Sequence, residues 1–354
     1  KIFLCGCWPQ VAKDNLPEVE IISGTNERKQ FLSLIEKYKK PLKKIYPYKQ
    51  SQKFEEMEIS EFLGRSRAII KIQDGCEQFC SYCIIPFTRG PSRSRDFKKT
   101  IEQARKLVKN GYQEIILTGI HLGLYGLDLQ KKTNLTELLK QLVKIPNLKR
   151  IRLSSIEITE VNNNLVQLIK NNQKICRHLH IPLQNGSDKV LKSMNRPYSS
   201  KYFIEKVKKI KKEIADISIT TDVIVGFPNE NEKDFQETYN LCKKLNFSKI
   251  HTFSFSRRKG TKAYDFPHQI KKEIIKKRSL KLRKLSDRLA KYFAQKFVNK
   301  TLEVLSQGKK GDYFFGLTDN YLKVYFKGKV KNNFVKVKIK KVEDAKLIGE
   351  VKNE

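Results

Sequence analysis

An α/β fold is predicted by three observations. Between residues 67 and 255 short apolar runs alternate with stretches of helical period, in six successive pairings. The connections between them are short, which is how βα units are joined. Beyond residue 300 the pattern changes to strand-like alternation broken by Gly-containing turns. Repeated βα units imply a parallel sheet, and the right-handed crossover curls it into an open barrel. The expected architecture is therefore an open, partial parallel β/α barrel of about six repeats. The remnant of an α/β domain precedes it and a small all-β barrel module follows.

Residues 1–45 read as the end of an α/β unit, with a strand at Ile2–Cys5, a turn at Gly6-Cys7-Trp8-Pro9, and a second strand near Glu20-Ile21-Ile22. A helix from Glu27 to Tyr38 sets Phe31, Leu34, Ile35 and Tyr38 on one face, and Pro41 stops it. Because Lys1 opens straight into an apolar run, an upstream piece is expected. Residues 46–61 are polar, contain Pro47 and read as a linker.

The barrel is assigned to residues 62–293. Its strands are expected at Ala68–Ile72, Glu114–Thr118, Arg150–Ser154, His178–Pro182, Ile217–Val225 and Lys249–Phe255. Helices fall between them at Thr100–Asn110, Leu135–Val143, Leu165–Asn171, Lys201–Ile214 and Glu232–Leu245. A long basic helix over Ile270–Phe297 carries Ile274, Leu282, Leu285, Leu289 and Phe293 as an apolar stripe, the pattern of core packing. Residues 294–354 form the β module.

The formal net charge of +36 suits a polyanionic partner through phosphate neutralisation, although the excess of Lys over Arg also fits compositional drift. No apolar run approaches the length of a bilayer span, and the start is not a signal peptide. Seven Cys, an odd number, fit a reducing compartment. A cytoplasmic protein with no membrane association is expected.

Chemistry concentrates in Gln73-Asp-Gly-Cys76-Glu-Gln-Phe-Cys80-Ser-Tyr82-Cys83, which brings three thiols into eight residues directly after the first barrel strand. Three thiolates can hold three irons of a 4Fe-4S cube and leave the fourth open to a small molecule. A closed zinc site wants four ligands, and this loop offers three Cys with no neighbouring His. A disulfide framework belongs to small secreted chains. The spacing, with aromatic Tyr82 before the last Cys, resembles the signature of the radical S-adenosylmethionine (SAM) enzymes. In that superfamily SAM chelates the open iron and is cleaved to a 5′-deoxyadenosyl radical.

Other strings follow the later strands: Leu117-Thr118-Gly119-Ile-His121-Leu-Gly123, Arg152-Leu-Ser154-Ser155-Ile-Glu157, His180-Ile-Pro182-Leu-Gln184-Asn-Gly186, Met194-Asn195-Arg196, Thr221-Asp222-Val-Ile-Val-Gly226-Phe227-Pro228 and Phe255-Ser256-Arg257-Arg258. Such barrels put their sites at this carboxyl-end rim. Together the strings resemble the methylthiotransferases of the radical SAM superfamily over nearly the whole chain, and Gly119-Ile-His121-Leu-Gly123 is closest to the branch acting on threonylcarbamoyladenosine in tRNA. The isopentenyladenosine branch is the first alternative, and a non-catalytic Fe-S RNA-binding protein the second.

The resemblance implies that Cys76, Cys80 and Cys83 ligate the radical-generating 4Fe-4S cluster. It also implies that Cys7 is one ligand of an auxiliary 4Fe-4S cluster whose other two ligands lie upstream. Tyr82, Gly119, Glu157, Gln184 and Arg196 are the candidates for binding SAM. Arg196 can fork onto the methionine carboxylate, or instead form a surface ion pair. His121 orients a loop or touches substrate. Cys5 is read as a buried strand residue, and Cys176 and Cys242 as core cysteines. Ile158 stands where the family has Pro, which should shift a loop. The implied partners are the tRNA anticodon stem-loop, held in part by a TRAM-like module over residues 294–354, and an electron donor such as flavodoxin or ferredoxin. The sulfur donor is left open.

Overall fold

The computed structural model describes residues 1–12, 16–25, 27–46, 53–330 and 333–352. Residues 47–52, the middle of the expected linker, lie outside the described residues. The first unit is a three-stranded parallel sheet, β1 (Phe3–Cys5), β2 (Ile21–Ser23) and β3 (Leu42–Lys44), with helices α1 (Cys7–Ala12) and α2 (Arg28–Glu36). Helix α1 replaces the turn expected at Gly6–Pro9. Pro9 occupies the third helical position, where its missing N–H has no intrahelical acceptor to lose. Strand β3 takes up residues just before the linker, a segment whose own pattern carries no strand period.

The second unit runs from β4 (Ala68–Lys71) through the short pair β5 (Gln73–Asp74) and β6 (Arg93–Ser94), with helix α3 (Ile85–Arg89) between them. It continues with α4 (Phe97–Lys109), β7 (Glu114–Thr118), α5 (Leu135–Leu142), β8 (Arg150–Leu153), α6 (Asn163–Asn171), β9 (His178–His180) and α7 (Asp188–Ser193). Then come α8 (Ser200–Glu213), β10 (Ser218–Val225), α9 (Glu232–Leu245), β11 (Lys249–Ser254) and α10 (Lys272–Gln295). The order β4-β7-β8 forms one parallel sheet and β9-β10-β11 another. Isolated parallel bridges, Ile151 to Ile175 and Ser155 to His180, join them into one open, curved parallel barrel.

Local chemistry starts the helices where the barrel needs them. The side chains of Asp96, Asn134, Asn162 and Ser199 each accept a backbone N–H at the start of α4, α5, α6 and α8. Asn231 and Asp234 form a reciprocal capping box on α9. Each cap is worth about 1 kcal/mol. One face of the strands, with Ile70, Leu117, Ile151, Leu153, Leu179, Ile219, Val223 and Ile250, joins the apolar core under the helices. The alternate residues, among them Glu114, Arg152, His178, His180, Thr220 and Asp222, are left for the concave lumen.

The last unit is a closed barrel in the order β12-β13-β14-β16-β15, from β12 (Thr301–Lys310), β13 (Tyr313–Leu317), β14 (Lys323–Lys327), β15 (Phe334–Glu343) and β16 (Lys346–Val351). Its core takes in Phe293, Ala294 and Phe297 from the end of α10. Two arginines of β8 fasten it to the sheet. Arg150 donates to Leu317 O (3.0 Å) and Glu303 O (2.7 Å), and Arg152 donates to Asp319 O (2.8 Å) and Thr318 O (3.0 Å). Tyr321 lies over His178, ring centroids 4.7 Å apart, and under the Arg152 guanidinium at 4.6 Å. The terminal module thus closes one end of the lumen, at the end opposite the loops that follow the strands.

Candidate active site at the mouth of the partial barrel

The cysteine loop is an excursion clamped at its base by the β5–β6 pair. Fully buried Gln73 donates to Gly75 O (2.8 Å) and accepts from His121 N (2.6 Å), so it ties the cysteine loop to the loop after β7. Burial alone would raise the Asp74 carboxyl. Lys71 at 2.6 Å, with Arg89 and Arg93, more than offsets it and holds the group below its ordinary range. Gly75 has φ +75°, and a Cβ there would lie 1.9 Å from Pro91 O, so the approach excludes any side chain.

Cys76 Sγ lies 3.4 Å from His121 Nδ1, and the other ring nitrogen of His121 is bonded to Glu160. Burial disfavours the charged ring, but Cys76 and Glu160 outweigh it and hold His121 up at about 10. Cys80 Sγ accepts from Arg196 Nη1 at 3.1 Å. Burial pushes the Cys80 thiol up, and Arg196 opposes that. Cys83 is pushed up to about 11 by burial. Its neighbour Tyr82 packs against Val190, Met194, Phe227 and Ala263. The loop is pinned from the far side as well, since Asn195 Nδ2 donates to Phe79 O (3.1 Å) and Ser81 Oγ donates to Ser193 O (2.8 Å). Phe79 sits at φ +48°, a conformation a bulky residue adopts only when its surroundings impose it.

The Arg196 side chain is 5% exposed, and its guanidinium pairs with Glu157 as well as with Cys80. Its surroundings rule out the surface ion pair that the sequence also allowed. Burial pushes the Glu157 carboxyl up while Arg196 works against that shift. Tyr198 completes the group by accepting from Arg196 Nε (3.2 Å) and donating to Pro182 O (3.0 Å). Gly119 lies against Gln73, whose Cβ would be 2.9 Å from an added Cβ. Gln184 is inserted beside β10 through its backbone, its N–H donating to Asp222 O (2.8 Å) and its carbonyl accepting from Ile224 N (2.8 Å). Cys76, Cys80, Cys83, Tyr82, Glu157 and Arg196 therefore surround one loop, with Gly119 at its edge and Gln184 one strand further on.

Cys7 begins α1, which packs on α3, the helix directly after Cys83, and Thr25 Oγ1 donates to Thr88 O (2.7 Å) across the same contact. Cys5 is exposed, which corrects the expectation that it is buried: it ends β1, an edge strand of the sheet, whereas Ser23 at the same place in the central strand is covered. Cys176 and Cys242 are buried. Sequence reasoning assigned no role to Glu160, Asp74 or Tyr198. Glu160 reaches His121 from the short turn Ile158–Glu160, at the position where Ile replaces Pro. Only Asp74 carried a signal, its place in the Gln-Asp-Gly string. Surface hollows of about 530 and 700 Å³ lie away from the cysteines, one between residues 61–66 and the terminal barrel, the other between α8 and α9.

The donor set fits an iron-sulfur cube. Three thiols that each meet a different iron need not converge on one point, and among the described residues no group of three or more His, Cys, Asp or Glu is gathered to hold a single metal ion. A partial β/α barrel with three thiols on the loop after its first strand is the arrangement of a radical SAM enzyme, and residues 70–242 match the Radical SAM superfamily model.

The relatives narrow the class. The chain is 40% identical to the threonylcarbamoyladenosine tRNA methylthiotransferase MtaB of Bacillus subtilis (strain 168), over 96% of this chain and 78% of that protein. It is 35% identical to the tRNA-2-methylthio-N(6)-dimethylallyladenosine synthase of Clostridium tetani (strain Massachusetts / E88), over 99% of this chain and 80% of that protein. Among solved structures, the coproporphyrinogen III oxidase HemN of Escherichia coli aligns with a TM-score of 0.45 at 12% identity, over 65% of this chain and 53% of that one. The chain belongs to the tRNA methylthiotransferase family of radical SAM enzymes, transferases that use SAM and a 4Fe-4S cluster. Among the described residues no helix is long and apolar enough to cross a membrane.

Proposed function

We propose that this enzyme methylthiolates C2 of N6-threonylcarbamoyladenosine 37, next to the tRNA anticodon. The observation that carries the choice of nucleoside is the 40% identity, along 96% of the chain, to a relative named for that substrate. The polar lumen, with His180, Thr220 and Asp222 facing inward, supports it.

In this reading Cys76, Cys80 and Cys83 hold the radical-generating 4Fe-4S cluster, and Cys7 contributes to an auxiliary one. When bound, the first supplies the electron that cleaves SAM to a 5′-deoxyadenosyl radical, and the second supplies the sulfur to be methylated and transferred. Arg196, freed from Glu157 or shared with it, takes the methionine carboxylate in a two-pronged pairing. Glu157 and Gln184 accept from the SAM amino group or ribose hydroxyls. Gly119 lets the backbone come close, and Tyr82 packs the cluster loop. His121, held by Gln73 and Glu160, positions the loop beside Cys76.

The terminal barrel acts as a TRAM-like RNA-binding module. Its lysines and those of α10 contact phosphates while adenosine 37 is turned into the mouth. The enzyme works in the cytoplasm, with flavodoxin or ferredoxin as the electron donor.

The test is mass spectrometry of tRNA nucleosides after expression of the gene in a host lacking methylthiotransferases. A 2-methylthio group on threonylcarbamoyladenosine is the expected product. The same group on isopentenyladenosine overturns the substrate and leaves the chemistry in place. Neither product, with SAM cleavage intact, overturns both.

A further inference from the structure

Below the cysteine loop the lumen holds polar side chains that are not among the candidate cluster or SAM residues. His180 and His178 lie on β9, Thr220 and Asp222 on β10, and His251 on β11, all on the face turned away from the helical core. Short polar contacts link them in a row. His180 Nε2 lies 3.1 Å from Asp222 Oδ2, an ion-pair contact when the ring is protonated. The Thr220 hydroxyl lies 2.8 Å from His180 Nδ1 and 3.1 Å from His178 Nε2, bonded to both rings. Burial pushes His178 well below its ordinary range, so it is a neutral ring, and Tyr321 covers it from below. The whole chain of bonds serves to orient one carboxylate.

That carboxylate faces the open end. Asp222 is a quarter exposed, and its Oδ1 has no partner among the described residues. His251 is paired with Asp222 in the strand register, its exposed ring 5.6 Å from that of His180. The covered part of its ring, and then the neighbouring His180, lower His251 below its ordinary range, leaving a neutral ring with one N–H to donate. The group also lies close under the SAM candidates. His180 is bridged to Ser155, two residues before Glu157, and Asp222 O accepts from Gln184 N.

We infer that Asp222 and His251, aligned by His180 and Thr220, form the subsite that reads the substituent on N6 of the target adenine, and that the substituent is polar and amino-acid-like. This inference rests on the proposed substrate. Asp222 accepts the N–H or hydroxyl groups of the substituent, and His251 donates to its oxygens. An apolar substituent of similar size would desolvate Asp222 Oδ1 without a donor, and a buried acceptor left unpaired is rejected far more strongly than a missing methylene.

The experiment measures binding of fluorescently labelled anticodon stem-loops to the cluster-loaded enzyme with SAM. The three probes carry adenosine, threonylcarbamoyladenosine or isopentenyladenosine at position 37. The parent protein should favour threonylcarbamoyladenosine over adenosine by about tenfold or more. Asp222→Asn and His251→Leu should each bring that ratio most of the way to one. If both variants melt as the parent does and keep its ratio, the subsite is wrong while the substrate stands. A parent that favours isopentenyladenosine overturns the substrate reading and the subsite with it. Should Asp222→Asn unfold, the exposed His251 decides the question alone.

Discussion

Arg196 Nη1 lies 3.1 Å from Cys80 Sγ while the same guanidinium pairs with Glu157. One side chain, following α7, thus joins the cysteine loop to the loop after β8. The two side chains of the ion pair are only 5% and 11% exposed, so removing one strands the other. Arg196→Gln should lower the stability of the apoprotein by about 3 kcal/mol, and Arg196→Gln with Glu157→Gln should recover part of it. Denaturant titration of the two variants checks this; an undiminished midpoint for the single variant means the pair carries no net stabilisation. SAM affinity should fall in both.

The cysteines should separate cleanly by place. Cys76→Ala, Cys80→Ala and Cys83→Ala should each abolish 5′-deoxyadenosine formation and most of the charge-transfer absorbance of the first cluster after anaerobic reconstitution. Cys176→Ala, buried beside Arg152 and Glu114, and Cys242→Ala, in the apolar core, should leave both readouts intact and cost only packing. Iron analysis with a radical-cleavage assay decides it, and a radical still formed by Cys80→Ala removes that thiol from the ligand set.

Arg152 is the hinge pin between barrel and terminal module, bonded to Glu114, Asp319 O and Thr318 O and covered by Tyr321. Glu114 is fully buried. Arg152→Leu should therefore destabilise the chain by about 3 kcal/mol or more and loosen the module, raising hydrogen exchange in β13. Unchanged exchange there argues that Arg150 alone holds the contact.

Asp234 supplies the pH dependence. Burial raises its carboxyl, but Lys189, the Asn231 N–H and Ser187 together hold it below its ordinary value. A carboxyl depressed by folding stabilises above its unfolded pKa of about 3.9, and that share is lost as the pH falls through the folded value. Asp234→Asn should thus be less stable than the parent at pH 7, with the gap closing below about pH 4. A gap of constant size across that range would show that the capping bonds, and not the charge, carry the effect.

Much of the fold was legible in the residues themselves. The barrel strands and helices fall within a few residues of their expected bounds because apolar period and capping residues are local signals. Helix α9 matches at Glu232–Leu245, framed by Asn231 before it and Asn246 after it. What escaped was structure with no period of its own: β3, β16, the five-residue α3 and the short α1. These elements are too brief to show a repeat, and a neighbouring sheet or helix holds them in place.

The sequence by itself determined the three thiols, their spacing and the strand after which they fall, since an iron-sulfur loop is a local arrangement of donors. It also determined the order of the βα units, because each strand and helix writes its own pattern. Only the tertiary structure decided that Arg196 turns inward to Cys80 and Glu157, that Glu160 holds His121, and that Tyr321 closes the lumen beneath His178. Those pairs are separated by 39 to 143 positions along the chain. Their partners are chosen by how strands curve and loops converge, which no single segment encodes.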